Sequence, residues 1–202
     1  INSFKFKEPH FHYTPKILNV PKNTFLDGYW QSEKYFKDYA KEIKEIFTFK
    51  DQYDEKNHLI IDDINQNNSI SIHIRRGDFL LKQNNNHNTN LNDYYLKAIR
   101  ETSQIYKNPK YFIFTDDLEW VNKNFNLNYP NSIVNINHES KSFLDMYLMS
   151  LCKSNIIANS SFSWWSAWLN NTAEKVVYAP KNWFIDKSIH TDDLIPNSWI
   201  TI

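Results

Sequence analysis

Glycine is almost missing: the chain of 202 residues holds 2, Gly28 and Gly77. A glycine-rich loop of the kind that cradles nucleotide phosphates is therefore excluded from this stretch. The single cysteine, Cys152, rules out a disulfide framework and fits a reducing compartment. Formal net charge is +0, so no general affinity for polyanions, nucleic acid included, is implied, and any anion must be held by a local cluster. No run is long and apolar enough to span a bilayer. Aromatic residues are what the chain has in quantity, with 14 Phe, 12 Tyr and 7 Trp. Most such side chains pack cores, and exposed ones suit stacking on sugar rings. At this length one large domain or two small ones can bury a real core.

Residues 69–78 read S-I-S-I-H-I-R-R-G-D. Ile70, Ile72 and Ile74 alternate with Ser71, His73 and Arg75, the period of a strand with one strongly apolar face. Strand parity puts His73 and Arg75 on one face and sends Arg76 to the other. A guanidinium at a strand terminus suits bidentate capture of phosphate or carboxylate oxygens. The same residues also read as a structural salt bridge with Asp78. Arg76-Gly77-Asp78 spells an integrin-type tripeptide, a coincidence at a strand end.

Upstream, residues 1–26 are irregular, broken by Pro9, Pro15 and Pro21. Gly28 permits a turn, and Ser32 is a good N-cap for an amphipathic helix to Phe47 with Tyr35, Phe36, Tyr39, Ile43, Ile46 and Phe47 on its core-facing stripe. A polar connection with a short helix near residues 59–64 comes next. From Ser69 onward strands and helices alternate: strands at 69–74, 110–115, 132–136, 155–158 and 175–179, helices at 93–106, 118–125, 142–153 and 162–169. The Asn-rich run 83–92 reads as a solvated loop or as a flap beside a site. Buried-type strands alternating with helices argue for an α/β protein on a parallel, doubly wound sheet. The expected division is 1–68 and 69–202.

In such sheets ligands bind beyond the carboxyl ends of the strands. Three polar clusters fall there: residues 75–78, Thr115-Asp116-Asp117 and Asn159-Ser160-Ser161. Ser161 or Ser163 is the expected N-cap of the next helix, whose free N–H groups suit a phosphate or are simply capped. Asp116 and Asp117 admit three readings: magnesium ligands beside a phosphate, helix caps, or acids that orient an arginine. The arginines argue against a metal, since they neutralise a pyrophosphate themselves. Asp145 lies off the stripe of Leu144, Tyr147, Leu148 and Leu151. It reads as a plain surface carboxylate or as an acceptor for the N1–H and N2 amino group of guanine.

Assembled, these residues resemble the α-1,2-fucosyltransferases of glycosyltransferase family 11. The donor motif H-x-R-R-x-D stands as His73-Ile74-Arg75-Arg76-Gly77-Asp78. The second block looks like Phe112-Ile113-Phe114-Thr115-Asp116-Asp117, and the third like Asp145 through Ile157-Ala158-Asn159-Ser160-Ser161-Phe162-Ser163-Trp164-Trp165. Residues 26–32 (L-D-G-Y-W-Q-S) and 179–183 (A-P-K-N-W) are also similar to family segments. The first motif alone fits α-1,6- and protein O-fucosyltransferases too; the N-S-S-F-S-W-W block points to the α-1,2 group.

The resemblance implies a GT-B architecture with a Rossmann-like donor domain, GDP-β-L-fucose as donor and a galactoside acceptor. It implies inversion at the fucose anomeric carbon with no required metal or other cofactor. Donor contacts are expected from His73, Arg75, Arg76, Asp116, Asp117, Asp145, Asn159, Ser160, Ser161 and Ser163, with Arg75 on the β-phosphate and Asp145 on guanine. Tyr29, Trp30 and Gln31 are the acceptor-side candidates. Arg75, His73 and Asp78 are the catalytic candidates, with the base either His73, Asp78 or a residue outside this chain. Family members open with a strand and a glycine-rich R-L-x-G-G-L-G-N-Q-type loop, which is not found here. The expectation is a fragment with an incomplete N-terminal domain, inactive alone. Related α-1,6 enzymes carry a glutamate base shortly after the arginine motif, where residues 79–83 hold no acid. A bacterial cytoplasmic enzyme of surface-glycan synthesis is expected, peripheral to the inner membrane at most; the sequence assigns no oligomeric state. Two other readings stay open. One is a glycosyltransferase using another nucleotide sugar; the other is a noncatalytic carbohydrate-binding module relying on Trp30 rather than Arg75.

Overall fold

The computed structural model describes residues 4–49, 54–80, 86–87 and 90–202. The chain divides into two units, and the smaller combines Ile1–Ile46 with Asp186–Asn197. It contains a parallel pair, β1 (Lys5–Lys7) and β2 (Phe25–Asp27), each too short to show a period in the sequence. Gly28 does not serve a left-handed turn; it makes room for Glu8, whose Cβ would lie 2.3 Å from an added Cβ. The Glu8 carboxylate accepts the backbone N–H groups of Tyr29 and Trp30 at 2.7 and 3.2 Å.

The helix expected from Ser32 to Phe47 is broken. Ser32 Oγ does accept from Lys34 N at 3.4 Å, but it caps a 3₁₀ turn, Glu33–Tyr35, and Phe36 at φ −145° separates that turn from the next, Lys37–Tyr39. Only α1 (Ala40–Ile46) is α-helical. Its expected core stripe is not a core: Tyr39 is 65% and Ile46 79% exposed. Periodicity alone does not bury a helix; it needs an apolar layer to lie against. In the same unit Asp193 accepts from Tyr13 N at 3.0 Å and pairs with Lys34, tying residues 186–197 to the N-terminal segment.

The larger unit, Phe47–Ile185 with Ser198–Ile202, carries the sheet. Its elements are α2 (Glu55–Gln66), β3 (Asn68–Ile74), α3 (Asn92–Ile105), β4 (Pro109–Thr115), α4 (Leu118–Asn124), β5 (Asn131–Val134), α5 (Phe143–Leu151), β6 (Ser154–Ile156), α6 (Ser161–Leu169), β7 (Val177–Ala179) and β8 (Ile200–Thr201). All six strands are parallel, in the order β5-β4-β3-β6-β7-β8. Counted from β3, this is the 3-2-1-4-5-6 order of Rossmann-like sheets, with its switch point between β3 and β6. The expected α/β parallel sheet is present, with β8 as an addition.

Parity decides the two faces. Ile70, Ile72 and Ile74 join Tyr111, Ile113, Ile156 and Tyr178 under α3, where Tyr94, Tyr95, Ala98 and Ile99 are buried. The opposite face packs Phe112, Phe114 and Val134 against Ile64 of α2 and Leu148 and Met149 of α5. Each such aliphatic side chain contributes roughly 1.5–3 kcal/mol by burial. Because Ile64 packs into this layer, α2 belongs to the sheet unit, so the units divide the chain elsewhere than at residue 68. Two buried tyrosines close the carboxyl edge. Tyr95 OH donates to the His73 carbonyl at 2.8 Å, and Tyr94 OH lies 2.7 and 2.8 Å from the carbonyls of Ile157 and Tyr178. Burial pushes both phenols up, so they remain neutral donors.

Candidate active site

Where β3 ends, its partner strand delivers an acid to each arginine. Ile74 pairs with Thr115, so the next residues, Arg75 and Arg76, run beside Asp116 and Asp117. Arg75 Nε lies 2.9 Å from Asp78 Oδ1 and 3.1 Å from Asp116 Oδ2. Arg76 turns to the other face, as parity requires: its Nε lies 3.3 Å from Asp117 Oδ2 and its guanidinium 4.1 Å above the Trp120 ring of α4. Asp116 Oδ1 also accepts the Arg76 backbone N–H at 2.8 Å, and Asp117 Oδ1 caps α4 by accepting from Trp120 N at 3.0 Å. Capping and arginine orientation are thus both realised. An added Cβ at Gly77 would sit 2.9 Å from Asp116 Oδ2, so any side chain there has to displace that carboxylate. The salt bridge to Asp78 exists, and it runs through Nε of Arg75, with the Phe79 ring 5.9 Å from the guanidinium carbon.

Across the switch point, Ile72 pairs with Ile156. Continuing that register places His73 beside Ile157 and Arg75 level with Asn159. The helix α6 starts here, and its N-cap is Ser160, not Ser161 or Ser163; the Ser160 side chain makes no capping bond. Ser163 is buried, its hydroxyl donating back to the carbonyls of Ala158 and Ser160 at 3.4 and 3.3 Å. Ser161 is exposed on the first turn. Asn159 is buried and donates to the Trp183 carbonyl at 2.9 Å, anchoring the loop. His73 is 5% exposed and its ring lies 5.7 Å from Phe162 of α6. Its Nδ1 has no hydrogen-bond partner among the described residues. Burial, with the Arg75 charge second, pushes the imidazole down to about 3, so His73 is neutral at physiological pH.

Asp145 sits in the first turn of α5, which also starts at the carboxyl edge because it crosses back from β5 to β6. It is not a plain surface carboxylate. Burial raises it to about 6, opposed by a hydrogen bond from Asn137 and by the charge of His138. Asn137 Nδ2 donates to Asp145 Oδ1 at 2.7 Å. Sequence reasoning missed Asn137 and Trp120, which only contacts across the fold single out, and Phe79, which meets Arg75 from four residues away. For Trp183 the signal was the likeness of residues 179–183 to a family segment. Tyr29, Trp30 and Gln31 lie in the smaller unit. Tyr29 is 79% exposed, while Trp30 stacks on Phe6 at 6.0 Å. Of the run 83–92, residues 83–85 and 88–89 lie outside the described residues. His87 stacks on Phe79 at 4.0 Å. Among the described residues no group of three or more His, Cys, Asp or Glu is arranged to hold a metal, and no helix is long and apolar enough to cross a membrane.

The chain is 37% identical over 200 residues to the alpha-1,2-colitosyltransferase of Escherichia coli, covering 94% of this chain and 67% of that one. It is 41% identical over 138 residues to the O-antigen biosynthesis glycosyltransferase WbnK of Escherichia coli, covering 67% of this chain and 45% of the relative. The chain thus spans about half to two thirds of the length of these relatives. Among solved structures, the NodZ alpha-1,6-fucosyltransferase soaked with GDP-fucose aligns at a TM-score of 0.38 and 16% identity, over 80% of this chain and 65% of that one. The family model described as "Glycosyl transferase family 11" matches residues 9–202, and the chain belongs to that family.

Proposed function

We propose that this chain carries the donor site of an inverting α-1,2-fucosyltransferase that moves L-fucose from GDP-β-L-fucose to the 2-hydroxyl of a galactoside. The observation that carries the reading is the meeting of β3 and β6 at the switch point. There Arg75, neutral His73 and the N-terminal turn of α6 share one crevice edge, where diphosphates bind in Rossmann-like sheets. Arg75 holds its acids through Nε, which leaves its terminal nitrogens to face a phosphate.

In this mechanism the acceptor 2-oxygen forms a bond to the fucose anomeric carbon as the bond from that carbon to the β-phosphate oxygen breaks. GDP departs with the electron pair. Negative charge grows on the β-phosphate, where Arg75 and the N–H groups of the first turn of α6 provide fixed donors. Asp116 orients this machinery by holding Arg75 and the Arg76 backbone together. No metal is required in this scheme, since Asp116 and Asp117 are engaged by arginines and a helix cap. The hydroxyl proton passes to a base, for which Asp78 suits better than His73. Burial makes protonated His73 unfavourable, whereas the Asp78 side chain is 42% exposed beside Arg75. Asp145 accepts hydrogen bonds from the guanine edge.

A second donor sugar is favoured by the name of the 37% identical relative: colitose is fucose without its 3-hydroxyl. Full-length protein offered GDP-fucose and GDP-colitose separates the two. A pocket built to bond the hydroxyl rejects the deoxy sugar by about 10⁴-fold in kcat/KM, whereas an apolar pocket discriminates only about 10²-fold. Arg75→Ala should lower transfer about 10²–10³-fold with the fold intact; near-normal transfer overturns the assignment. Glycan binding indifferent to GDP, and lost in Trp30→Ala rather than Arg75→Ala, would instead identify a carbohydrate-binding module.

A further inference from the structure

A chain of buried amides stands behind Asp145. Asn57, in the first turns of α2, and Asn137, in the loop after β5, are 1% and 5% exposed and 80 residues apart in sequence. Their side chains exchange reciprocal hydrogen bonds: Asn57 Nδ2 to Asn137 Oδ1 at 3.0 Å and Asn137 Nδ2 to Asn57 Oδ1 at 2.9 Å. Each amide nitrogen has one hydrogen left, and each directs it to a carboxylate. Asn137 donates to Asp145 Oδ1 at 2.7 Å, and Asn57 donates to Asp54 Oδ1 at 2.9 Å.

The direction of this chain is fixed by electrostatics. Rotating either amide by half a turn would set its carbonyl against a carboxylate and oppose like atoms across the pair. Asp54 secures the far end: its Oδ1 also accepts the Asn57 backbone N–H at 3.1 Å as the N-cap of α2, and its Oδ2 lies 3.7 Å from Lys141 Nζ. The network therefore braces the loop after β5 between α2 and α5, and it engages only Oδ1 of Asp145. Asp54 is half exposed, but the paired amides are buried and fully satisfied, and such a pair locks one geometry, because every alternative strands a donor or acceptor.

We infer that Asn137, anchored by Asn57, is a positioning residue that sets the Asp145 carboxylate for recognition of the guanine base and so fixes nucleotide specificity. The inference rests on the reading of Asp145 as the guanine contact. A carboxylate reads guanine through both the N1–H and the N2 amino group, which requires a defined plane for its two oxygens. An amide donor at 2.7 Å in a buried frame supplies that plane.

The test measures binding of GDP, inosine 5′-diphosphate and inorganic pyrophosphate to the full chain by calorimetry, since inosine lacks only the N2 amino group. Wild-type protein should prefer GDP. Asn137→Ala should reduce that preference about tenfold, the loss expected for one hydrogen bond to a charged group, with pyrophosphate affinity unchanged. The double variant Asn57→Leu with Asn137→Leu replaces both amides by apolar groups of similar size and leaves no stranded amide. It should fold and show the same loss of preference. Full GDP preference in either variant, with Asp145→Asn abolishing it, overturns the positioning role while leaving the guanine contact standing. An identical GDP-to-inosine ratio in wild type and Asp145→Asn overturns the guanine contact and this inference with it.

Discussion

Replacing Asp145 by asparagine should make the protein more stable and less able to hold its donor. Burial raises this carboxyl from 3.8 to about 6. A shift of about two units is a differential of roughly 3 kcal/mol between charged and neutral forms. The folded-state value lies above the unfolded one, so the folded protein binds the proton more tightly. The penalty for the charge is absent below pH 4, grows between pH 4 and pH 6, and is complete above. Asparagine keeps an oxygen to accept from Asn137 but carries no charge. Asp145→Asn should therefore gain about 1–3 kcal/mol at pH 7.5, a rise in melting temperature of roughly 2–12 °C for a chain of this size. The gain should close as the pH is lowered to 4. Thermal melts of both proteins between pH 4 and pH 8 measure it, beside GDP titrations that should show weaker binding. A variant that is less stable than wild type at pH 7.5, by a margin that persists at pH 4, would refute a desolvated charge at this position. Stability gained as function is lost is the mark of a residue kept for its chemistry.

Other expectations rest on single contacts. Arg75→Ala should lower turnover about 10²–10³-fold, as for removal of one preorganised donor to a developing anion, measured by donor-dependent transfer. Gly77→Ala should force Asp116 away from Arg75 and the Arg76 backbone, since the new Cβ would lie 2.9 Å from Asp116 Oδ2. About 1–3 kcal/mol in denaturant melts is the expected overpacking loss, accompanied by weaker GDP binding. Tyr94→Phe removes a donor shared by the buried carbonyls of Ile157 and Tyr178 and should cost about 1–3 kcal/mol, read by urea unfolding. Trp164→Ala empties a site that is 1% exposed and packed by Trp168 and Trp199; the same urea titration should show a loss of about 3–5 kcal/mol.

Local periodicity made much of this fold legible. The isoleucines of β3 bury completely on one face, and β4, α3 and α5 fall within a residue or two of where their apolar spacing places them. The same spacing misled at α1, where Tyr39 and Ile46 are exposed, because a stripe reports what a helix could bury and not whether a partner layer exists. β8 escaped notice because it is two residues long and exposed on both; a pairing that short is set by its neighbour, not by its own pattern.

By itself the sequence determined the alternation of strand and helix, the parity that sends Arg75 and Arg76 to opposite faces, and the three polar clusters at one edge. All of these depend on residues near one another in the chain. Only the tertiary structure decided that β6 lies beside β3, which creates the switch point. It also decided that Asp116 meets Arg75, that Gly77 clears space for that acid, and that His73 is buried neutral. The braced carboxylate of Asp145 depends on Asn57 and Asn137, 80 residues apart. Neither asparagine carries a local signal, because the value of a buried amide lies wholly in the partner that folding brings to it.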